Sequence, residues 1–309
     1  MTRTMQIFQG WQGIDPKARG TSVAMGNFDG VHLGHQAVID LARTDAPLGI
    51  VTFEPHPRQF FAPNAPSFRL MNAESRANRL AKLGVQHLFE LPFDAALAGL
   101  SPEEFARDVL AQGLGISHVV VGSDFCFGKG RAGTAADLQA LGLRYGFRTT
   151  IATLVQVAGQ DISSTAVRDA LGEGRPRDAA AMLGHWHRIE GEVIHGEKRG
   201  RQLGYPTANM DVTGLHLPKF GVYAVRVDVL TGPQAGQYIG AASLGVRPMF
   251  GTNMPNLESF LFDFTGDLYG HHLSVALVDY LRPEMKFDGL QGLLDQMHAD
   301  CEKARAILS

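Results

Sequence analysis

The pattern of apolar residues changes after Asp161, and this change constrains the fold more than any other feature of the 309-residue sequence. Before it, short apolar runs that predict buried strands alternate with segments of helical periodicity. Thr21–Met25, Leu48–Phe53 and His118–Val121 are such runs, and His35–Arg43 is one of the helical segments. Strand–helix alternation of this length predicts a parallel, doubly wound α/β sheet in the first half of the chain.

Residues that alternate between apolar and polar dominate the second half. In Val222–Leu230 the apolar side chains fall on one face, and in Glu258–Phe264 three phenylalanines share a face with the glutamate. We expect these phenylalanines to line the interior of the domain. Glycines and prolines punctuate the strands, which indicates an antiparallel β-barrel. An amphipathic helix is predicted over residues 290–307.

The boundary between the two halves is predicted near residue 185, where two short helical segments, Ser164–Leu171 and Pro176–Leu183, lead to Gly184. Residues 1–185 would then form the α/β domain, and residues 186–309 the barrel domain with its C-terminal helix. Two domains are typical of a chain of this length.

Composition excludes several classes of protein. Hydrophobic residues make up 45% of the chain and charged residues 19%, which is typical of a soluble globular protein. A net charge of −3 gives no broad attraction to nucleic acid or to a membrane, so any phosphate site must be local. Cys126 and Cys301 lie far apart in the sequence, and the N-terminus lacks the apolar core of a signal peptide. No apolar run is long enough to cross a bilayer. These features predict a cytoplasmic protein.

Two histidines follow the predicted strand Thr21–Met25 and lie at the junction between this strand and the next predicted helix. Gly26 and Gly30 bracket the turn, and His32 and His35 come next, three residues apart. In open α/β sheets ligands bind beyond the carboxyl ends of the strands, and a helix N-terminus favours anions. The stretch therefore predicts a polyphosphate site. Two histidines at this spacing could also be half of a metal site, but the neighbouring sequence offers no cysteine or carboxylate cluster to complete one.

The string Gly26-x-Phe28-Asp29-Gly30-x-His32-x-Gly34-His35 resembles the HxGH motif of the nucleotidyltransferase superfamily. Within that superfamily it is most similar to the bacterial bifunctional riboflavin kinase/FAD synthetases. The resemblance implies a Rossmann-like nucleotidyltransferase domain in which the two histidines bind ATP phosphates and stabilise the transition state of adenylyl transfer. It places the other motif residues in the same site: Gly26, Phe28, Asp29 and Gly30.

Two further segments of the first half match that family in the expected order. Asp124 follows a predicted strand and could meet a ribose or a phosphate-bound metal, although it could equally cap a helix. The hydroxyl residues of Ile162–Arg168 open a helix, and on local evidence an N-cap with a surface arginine explains them about as well. The resemblance implies that Arg168 takes the charge of the leaving pyrophosphate. It implies that three hydroxyl residues bind ATP phosphates: Ser163, Ser164 and Thr165.

The second half has its own dense stretch, from Gly191 to Asn209. Gly191 and Gly196 have the spacing of a P-loop, but Glu197 occupies the position of the P-loop lysine. The stretch is therefore not a Walker A motif. Composition alone favours a solvated surface loop. Tyr205-Pro206-Thr207-Ala208-Asn209, however, is similar to the GxPTAN motif of riboflavin kinases. That likeness implies that Thr207 and Asn209 ligate Mg²⁺, for which neutral oxygens are suitable ligands. It places four residues beside ATP: Gly196, Lys198, Arg199 and Gly204.

The segment Asn256–Phe264 resembles the kinase strand that carries the catalytic glutamate, which assigns that role to Glu258. Two positions depart from the family pattern. Tyr205 stands where phenylalanine is frequent, and Phe260 stands where histidine is frequent, so an imidazole cannot assist at that position here.

The resemblance covers nearly the whole chain and implies two reactions. The riboflavin kinase-like barrel would convert riboflavin and ATP to FMN, and the first domain would convert FMN and ATP to FAD and pyrophosphate, both with Mg²⁺. The expected partners are these small molecules, with no nucleic acid and no membrane, and no oligomeric state is predicted. A nucleotidyltransferase for another acceptor would lack the barrel. A flavin-binding regulator with inactive sites is disfavoured by the intact motif residues, among them His32, His35 and Glu258.

Overall fold

A computed structural model of the chain describes residues 5–153, 156–157, 160–196, 204–249 and 252–309. The chain forms two compact units. The first contains residues 1–66 and 76–162, and the second contains residues 67–75 and 163–309. Because residues 67–75 belong to the second unit, the first is built from two separate stretches of sequence.

The first unit is organised around a six-stranded sheet in which all paired strands run parallel, which confirms the predicted α/β class. The central strands Ser22–Met25 and Leu48–Glu54 are almost wholly buried, as expected where both faces of a sheet are covered. In spatial order across the sheet they are Gln6–Gln9, His87–Pro92, Leu48–Glu54, Ser22–Met25, His118–Gly122 and Arg148–Ala152.

The order of these strands reverses beside Ser22–Met25. From that strand the chain moves outwards on one side, through Leu48–Glu54 and His87–Pro92, and then crosses to His118–Gly122 on the other side. A reversal of this kind is the point at which open α/β sheets bind ligands, in a crevice beyond the carboxyl ends of the two central strands.

One helix of the first unit begins at a capping box that its local sequence, Ser101 to Glu104, predicts. Ser101 caps one start: its hydroxyl accepts from the backbone N–H of Glu104, whose carboxylate accepts from the N–H of Ser101 at 2.8 Å. This helix, Pro102–Glu104, continues as a π-helix over Phe105–Leu114. The other α-helices are Leu33–Leu41, Pro57–Phe61, Ala73–Lys82 (which crosses into the second unit), Ala95–Gly99 and Ala135–Tyr145. Shorter elements are the 3-10 turns Pro16–Ala18 and Lys129–Arg131 and the strand pairs Cys126–Phe127 with Gly133–Thr134 and Gln156–Val157 with Gln160–Asp161.

The second unit is a closed six-stranded antiparallel barrel, which confirms the predicted architecture. Two helices precede it, Ser164–Gly172 and Pro176–Leu183. Neighbouring strands around the barrel are Arg188–Ile194, Ala208–Asp211, Thr252–Leu261, Gly236–Met249, Gly221–Val229 and His272–Arg282, the last of which pairs again with the first.

The predicted strand Glu258–Phe264 was wrong in its bounds and in its buried face. The strand runs from Thr252 to Leu261, and its interior residues include Leu257 and Leu261. Phe260 and Phe262 pack outside the barrel, with residues of the C-terminal helix. Both faces of the strand are apolar because one lines the barrel and the other is covered, so alternation alone does not distinguish them.

The C-terminal helix, Leu290–Leu308, packs against this outer face and contributes Ala304 and Leu308 to a small apolar core. Arg282 ends the last barrel strand and forms a bidentate ion pair with Asp300 of the helix, with its closest contact at 2.7 Å. This geometry fixes the helix on the barrel. Among the helices that the structure describes, none combines the length and the apolar character needed to cross a membrane.

Candidate active sites

The first candidate site lies at the carboxyl end of the strand Ser22–Met25. The backbone N–H of Gly26 still donates to Val51 of the adjacent strand, at 3.1 Å. Beyond it the chain turns, and His32 is the N-cap of the helix Leu33–Leu41, where its Nδ1 accepts from the backbone N–H of His35 at 3.2 Å. The strand therefore delivers both histidines to the N-terminus of a helix, as the sequence predicts.

The two imidazoles stack on each other. Their ring centroids lie 3.6 Å apart. The ring of Phe28 lies beside the ring of His35, with centroids 5.2 Å apart. The Nδ1 atom of His35 is buried and makes no hydrogen bond within the described part of the chain. Burial, followed by the neighbouring His32, holds the pKa of His35 well below its usual value. His35 is therefore a neutral ring at pH 7, with a buried nitrogen that a ligand could satisfy.

The turn between strand and helix adopts an uncommon backbone conformation. Phe28 and Val31 have φ angles of 51° and 45°, in the left-handed region that a β-branched residue rarely enters. Gly30 has a φ of 87°, which is unstrained for glycine. Strained residues of this kind cluster at ligand sites. Phe28 and Asp29 are both buried in this turn, and Phe28 lies beside His35.

Asp124 lies on the other side of the strand-order reversal. It follows the strand His118–Gly122, which pairs directly with Ser22–Met25, so its loop leaves the same edge of the sheet as the histidine loop. Its exposed carboxylate folds back towards Gly122, where an added Cβ would lie 2.9 Å from Oδ1. Asp124 thus lies at the same edge of the sheet as the histidine loop, and its contact with a ligand stays a prediction.

The segment Ser163–Arg168 belongs to the second compact unit. Ser163 is the N-cap of the helix Ser164–Gly172 and accepts from the N–H of Ala166 at 3.2 Å. Thr165 is exposed and Ser164 is partly buried. Arg168 donates through Nε to the carbonyl of Phe68 at 2.6 Å and lies over that ring. These contacts support the simple N-cap interpretation of the serine, and the nucleotide roles of this segment stay predictions.

The second candidate site is built from two neighbouring barrel strands. Asn209 and Glu258 are directly opposite each other in the strand pair, so their side chains leave the same face. Asn256 donates from Nδ2 to Oδ1 of Asn209 at 3.1 Å and to Oε1 of Glu258 at 3.2 Å. The amide of Asn256 therefore joins the predicted metal ligand to the predicted catalytic carboxylate.

Thr207 lines two cavities. One, of about 250 Å³, also contains Glu258 and extends beneath the C-terminal helix, where Phe287, Met297 and Cys301 line it. The other, of about 290 Å³, also contains Asn209 and reaches the loop that ends at Tyr269. The structure thus places one predicted metal ligand between two binding spaces, with the carboxylate in the first and the amide in the second.

A glycine makes room for the amide of Asn209. An added Cβ at Gly196 would lie between 2.6 and 2.9 Å from three atoms of that carboxamide, closer than real Cβ contacts. Gly204 is exposed, with a φ of 82°. Tyr205 and Phe260 contact each other edge to face, with centroids 5.1 Å apart, at the two positions that depart from the family pattern. The predicted ATP contacts Lys198 and Arg199 lie outside the described residues.

Comparison with known proteins gives matches in both halves. Residues 14–166 match the FAD synthetase family and residues 183–308 match the riboflavin kinase family. The chain belongs to the bifunctional riboflavin kinase/FMN adenylyltransferases. It is 40% identical to the bifunctional riboflavin kinase/FMN adenylyltransferase of Pseudomonas fluorescens, covering 98% of both chains. It is 37% identical to the protein of that name from Escherichia coli K12, covering 97% of both chains.

A solved structure of similar fold carries a different description. A crystal structure described as a macrolide-efflux protein from Streptococcus pneumoniae matches this chain with a TM-score of 0.81. The two are 32% identical, over 97% of this chain and 98% of that one. The flavin-enzyme assignment rests instead on the two family matches, which cover the two halves separately.

The sequence analysis missed two features of these sites. No local sequence pattern marks Asn256, because its contact with Asn209 depends on the pairing of two strands. The other feature is an aromatic cluster at the carboxyl ends of two strands of the first sheet, on the same edge as the histidines. Its ring centroids lie 5.1 to 5.8 Å apart, and Phe61 is 69% exposed. Its members are Phe53, Phe60, Phe61 and Phe93. The consecutive phenylalanines just beyond a predicted strand could have indicated it.

Proposed function

We propose that the histidine crevice transfers AMP from ATP to FMN, and that the site at Asn209 and Glu258 phosphorylates riboflavin. The observation that carries the second assignment is Thr207, which lines both barrel cavities. Two substrates that must react with each other need two adjoining spaces, and the reacting atoms must meet where these spaces join.

In the adenylyl transfer, a phosphate oxygen of FMN forms a bond to the α-phosphorus of ATP, and the bond from that phosphorus to the pyrophosphate oxygen breaks. His32 and His35 would donate N–H hydrogen bonds to phosphate oxygens as negative charge moves between them. The lowered pKa of His35 keeps it a neutral donor, which binds without taking up a proton. Preorganised donors of this kind are typically worth about 10²–10³ in rate.

Other groups are assigned to this reaction from the family motifs alone. Asp124 would contact the ribose or a phosphate-bound metal. Arg168 would take charge on the leaving pyrophosphate, and the hydroxyls of Ser163, Ser164 and Thr165 would bind ATP phosphates. The aromatic cluster that contains Phe61 would hold the isoalloxazine ring of FMN, because exposed rings beside a polar site suit a flat aromatic ligand.

In the kinase reaction, the ribityl 5′-oxygen of riboflavin forms a bond to the γ-phosphorus, the bond to the β,γ-bridging oxygen breaks, and ADP leaves. Glu258 would accept the proton of the hydroxyl. We therefore place riboflavin in the cavity that contains Glu258, beneath the apolar side chains of the C-terminal helix. ATP would occupy the adjoining cavity, where Asn209 and the buried hydroxyl of Ser259 are available.

Thr207 and Asn209 would hold Mg²⁺ with the phosphates of ATP. Both offer neutral oxygens to one cavity, and a hard cation that retains water and phosphate ligands fits such a donor pair. When bound, the ion would neutralise charge on the transferred phosphoryl group. Lys198, Arg199 and Gly204 are proposed beside the same phosphates from the motif alone.

We place the boundary between the two activities near residue 185. Gly184 ends the helix Pro176–Leu183 in the left-handed conformation, with a φ of 71°, and the first barrel strand begins at Arg188. The proposed partners are the small molecules of the two reactions. Two free cysteines and a net charge of −3 support a cytoplasmic location without attraction to nucleic acid.

The direct test incubates the purified chain with ATP and Mg²⁺ and either riboflavin or FMN, and then separates the flavins by chromatography. Riboflavin should give FMN and then FAD, and FMN should give FAD with an equal amount of pyrophosphate. Failure to consume riboflavin while FMN is adenylylated would refute the kinase assignment, and the reverse would refute the adenylyltransferase assignment.

A further inference from the structure

Neither the sequence motifs nor the two proposed reactions give Asn256 a role. It stands on the same barrel strand as Glu258, two residues earlier, so both side chains leave the outer face. Its direct neighbours across the sheet are Asp211 and Gly245, which makes Asn209 its diagonal neighbour. From this position it reaches both groups of the kinase site.

The carboxamide of Asn256 is buried, with 7% exposure, and its nitrogen carries two N–H donors. One donates to Oδ1 of Asn209 at 3.1 Å, and the other to Oε1 of Glu258 at 3.2 Å. With both donors directed in this way, the nitrogen has no further N–H to offer a substrate. Asn256 therefore acts on the two side chains that face the substrates.

We propose that Asn256 is a positioning residue that fixes the carboxylate of Glu258 and the carboxamide of Asn209 in one arrangement. The inference rests on the proposed roles of those two residues. The hydrogen bond from Asn256 fixes Oδ1 of Asn209, so that the remaining lone pair points to a cation in a defined direction. The hydrogen bond to Oε1 of Glu258 fixes the orientation of that carboxylate. Misplacement of a reacting group by about 1 Å can cost about 10²-fold in rate.

Two substitutions remove the N–H donors of residue 256, and they differ in how much they disturb the packing around it. Asn256→Asp is isosteric and places an acceptor where both partners need a donor, and Asn256→Ala removes the group. We expect both to lower kcat for FMN formation by at least about tenfold, with a smaller change in KM for riboflavin.

A double-mutant cycle separates positioning from a general structural effect. In a Glu258→Gln background, Asn256→Ala should lower kcat by a smaller factor than in the wild type, because the effect through Glu258 is already lost and only the effect through Asn209 remains. An equal loss in both backgrounds would overturn the inference, as would an unchanged kcat in Asn256→Ala. If Glu258→Gln itself leaves FMN formation unchanged, the proposed base is wrong and the inference falls with it. If Glu258→Gln lowers FMN formation but the Asn256 variants do not, Glu258 remains the proposed base and the positioning role of Asn256 is refuted.

Calorimetric titration with Mg²⁺ and ADP, without flavin, tests the contact to Asn209 apart from catalysis. Asn256→Ala should weaken this binding, and an unchanged affinity would refute that half of the proposal. Gln237→Ala removes an exposed amide from a neighbouring barrel strand and serves as the matched control. Thermal unfolding of each variant monitors the folding of the barrel, and FAD formation from supplied FMN should stay normal. If FMN formation falls only in proportion to the loss of folded barrel, Asn256 has a purely structural role and the proposal is overturned.

Discussion

His32 and His35 stack nearly parallel, with their ring planes 15° apart and their centroids 3.6 Å apart. Two protonated imidazoles at this distance would repel each other, and burial further favours the neutral form of His35. The stack also holds each ring in one orientation before a ligand arrives. Phosphate would therefore meet donors that need little rearrangement, which is the condition for effective stabilisation of moving charge.

Gly34 leaves room for the His32 ring of this stack. A Cβ at residue 34 would lie 3.1 Å from two atoms of the His32 ring. We expect Gly34→Ala to displace that ring and to lower FAD formation about tenfold to a hundredfold, with FMN formation unchanged. Rates of both half-reactions check this. Gly99→Ala is the control, because an added Cβ there has no neighbour within 4 Å. Equal FAD rates in the two variants would contradict the role given to His32.

Gly196 has a corresponding role in the barrel. Its Cα lies against the carboxamide of Asn209, and a Cβ there would come within 2.6 Å of Nδ2. Gly196→Ala should therefore move Asn209, lower FMN formation at least about tenfold and weaken the dependence on Mg²⁺. The matched control is Gly191→Ala on the preceding strand, where the nearest atom would lie at an ordinary 3.8 Å. A Gly196→Ala enzyme with normal FMN synthesis would exclude Asn209 as a metal ligand.

Much of this architecture follows from local sequence. The helix Pro176–Leu183 has the predicted bounds, with proline in its first turn and glycine after its end, and the capping box at Ser101 is present. In the barrel, Val225 and Val227 lie inside as their spacing predicts. Each of these features depends on residues within one or two turns or on one face of one strand.

The remaining features depend on residues that are distant in sequence. Residues 67–75 join the second unit, in which Asn72 donates to the carbonyl of Glu190 at 2.8 Å, and no local pattern marks that departure. The outward face of Phe262 follows from the helix that covers it. The contact from Asn256 to Asn209 requires the register of two strands that are separated by two others in sequence.

The stability of the second unit should depend on pH through His187. Its ring is buried, and burial, with smaller contributions from His185 and His216, lowers the pKa of His187 to about 3. The unfolded chain binds this proton near pH 6.5, so between about pH 6.5 and 3 the free energy of unfolding should fall as pH falls. The slope from this one group is about 1.4 kcal/mol per pH unit, and above pH 6.5 its full contribution is present.

Urea unfolding at several pH values measures that slope. His187→Gln should flatten it by roughly one proton, whereas His298→Gln, which changes an exposed ring of the C-terminal helix, should keep the wild-type slope. Identical slopes for wild type and His187→Gln would show that His187 is not the group responsible.

The proposed boundary predicts that residues 186–309 make FMN and not FAD. Residues 163–185 contribute contacts to the barrel, including a hydrogen bond from the N–H of Lys219 to Leu171 at 2.9 Å and an ion pair between Arg177 and Asp279. A fragment of residues 163–309 should therefore have the same activity and a higher melting temperature. Thermal unfolding of the two fragments checks this. A folded but inactive longer fragment would show that the kinase site needs residues of the first half.

The central claim is that one chain carries two chemically separate sites, and both half-reactions measured on two variants test it most directly. Glu258→Gln should lower FMN formation from riboflavin at least about tenfold and leave FAD formation from supplied FMN normal. His32→Ala combined with His35→Ala should lower FAD formation by about 10² or more and spare FMN formation. Glu302→Gln, an exposed carboxylate, is the control and should change neither. If each variant loses both reactions equally, or the two losses are exchanged, the assignment of the sites is wrong.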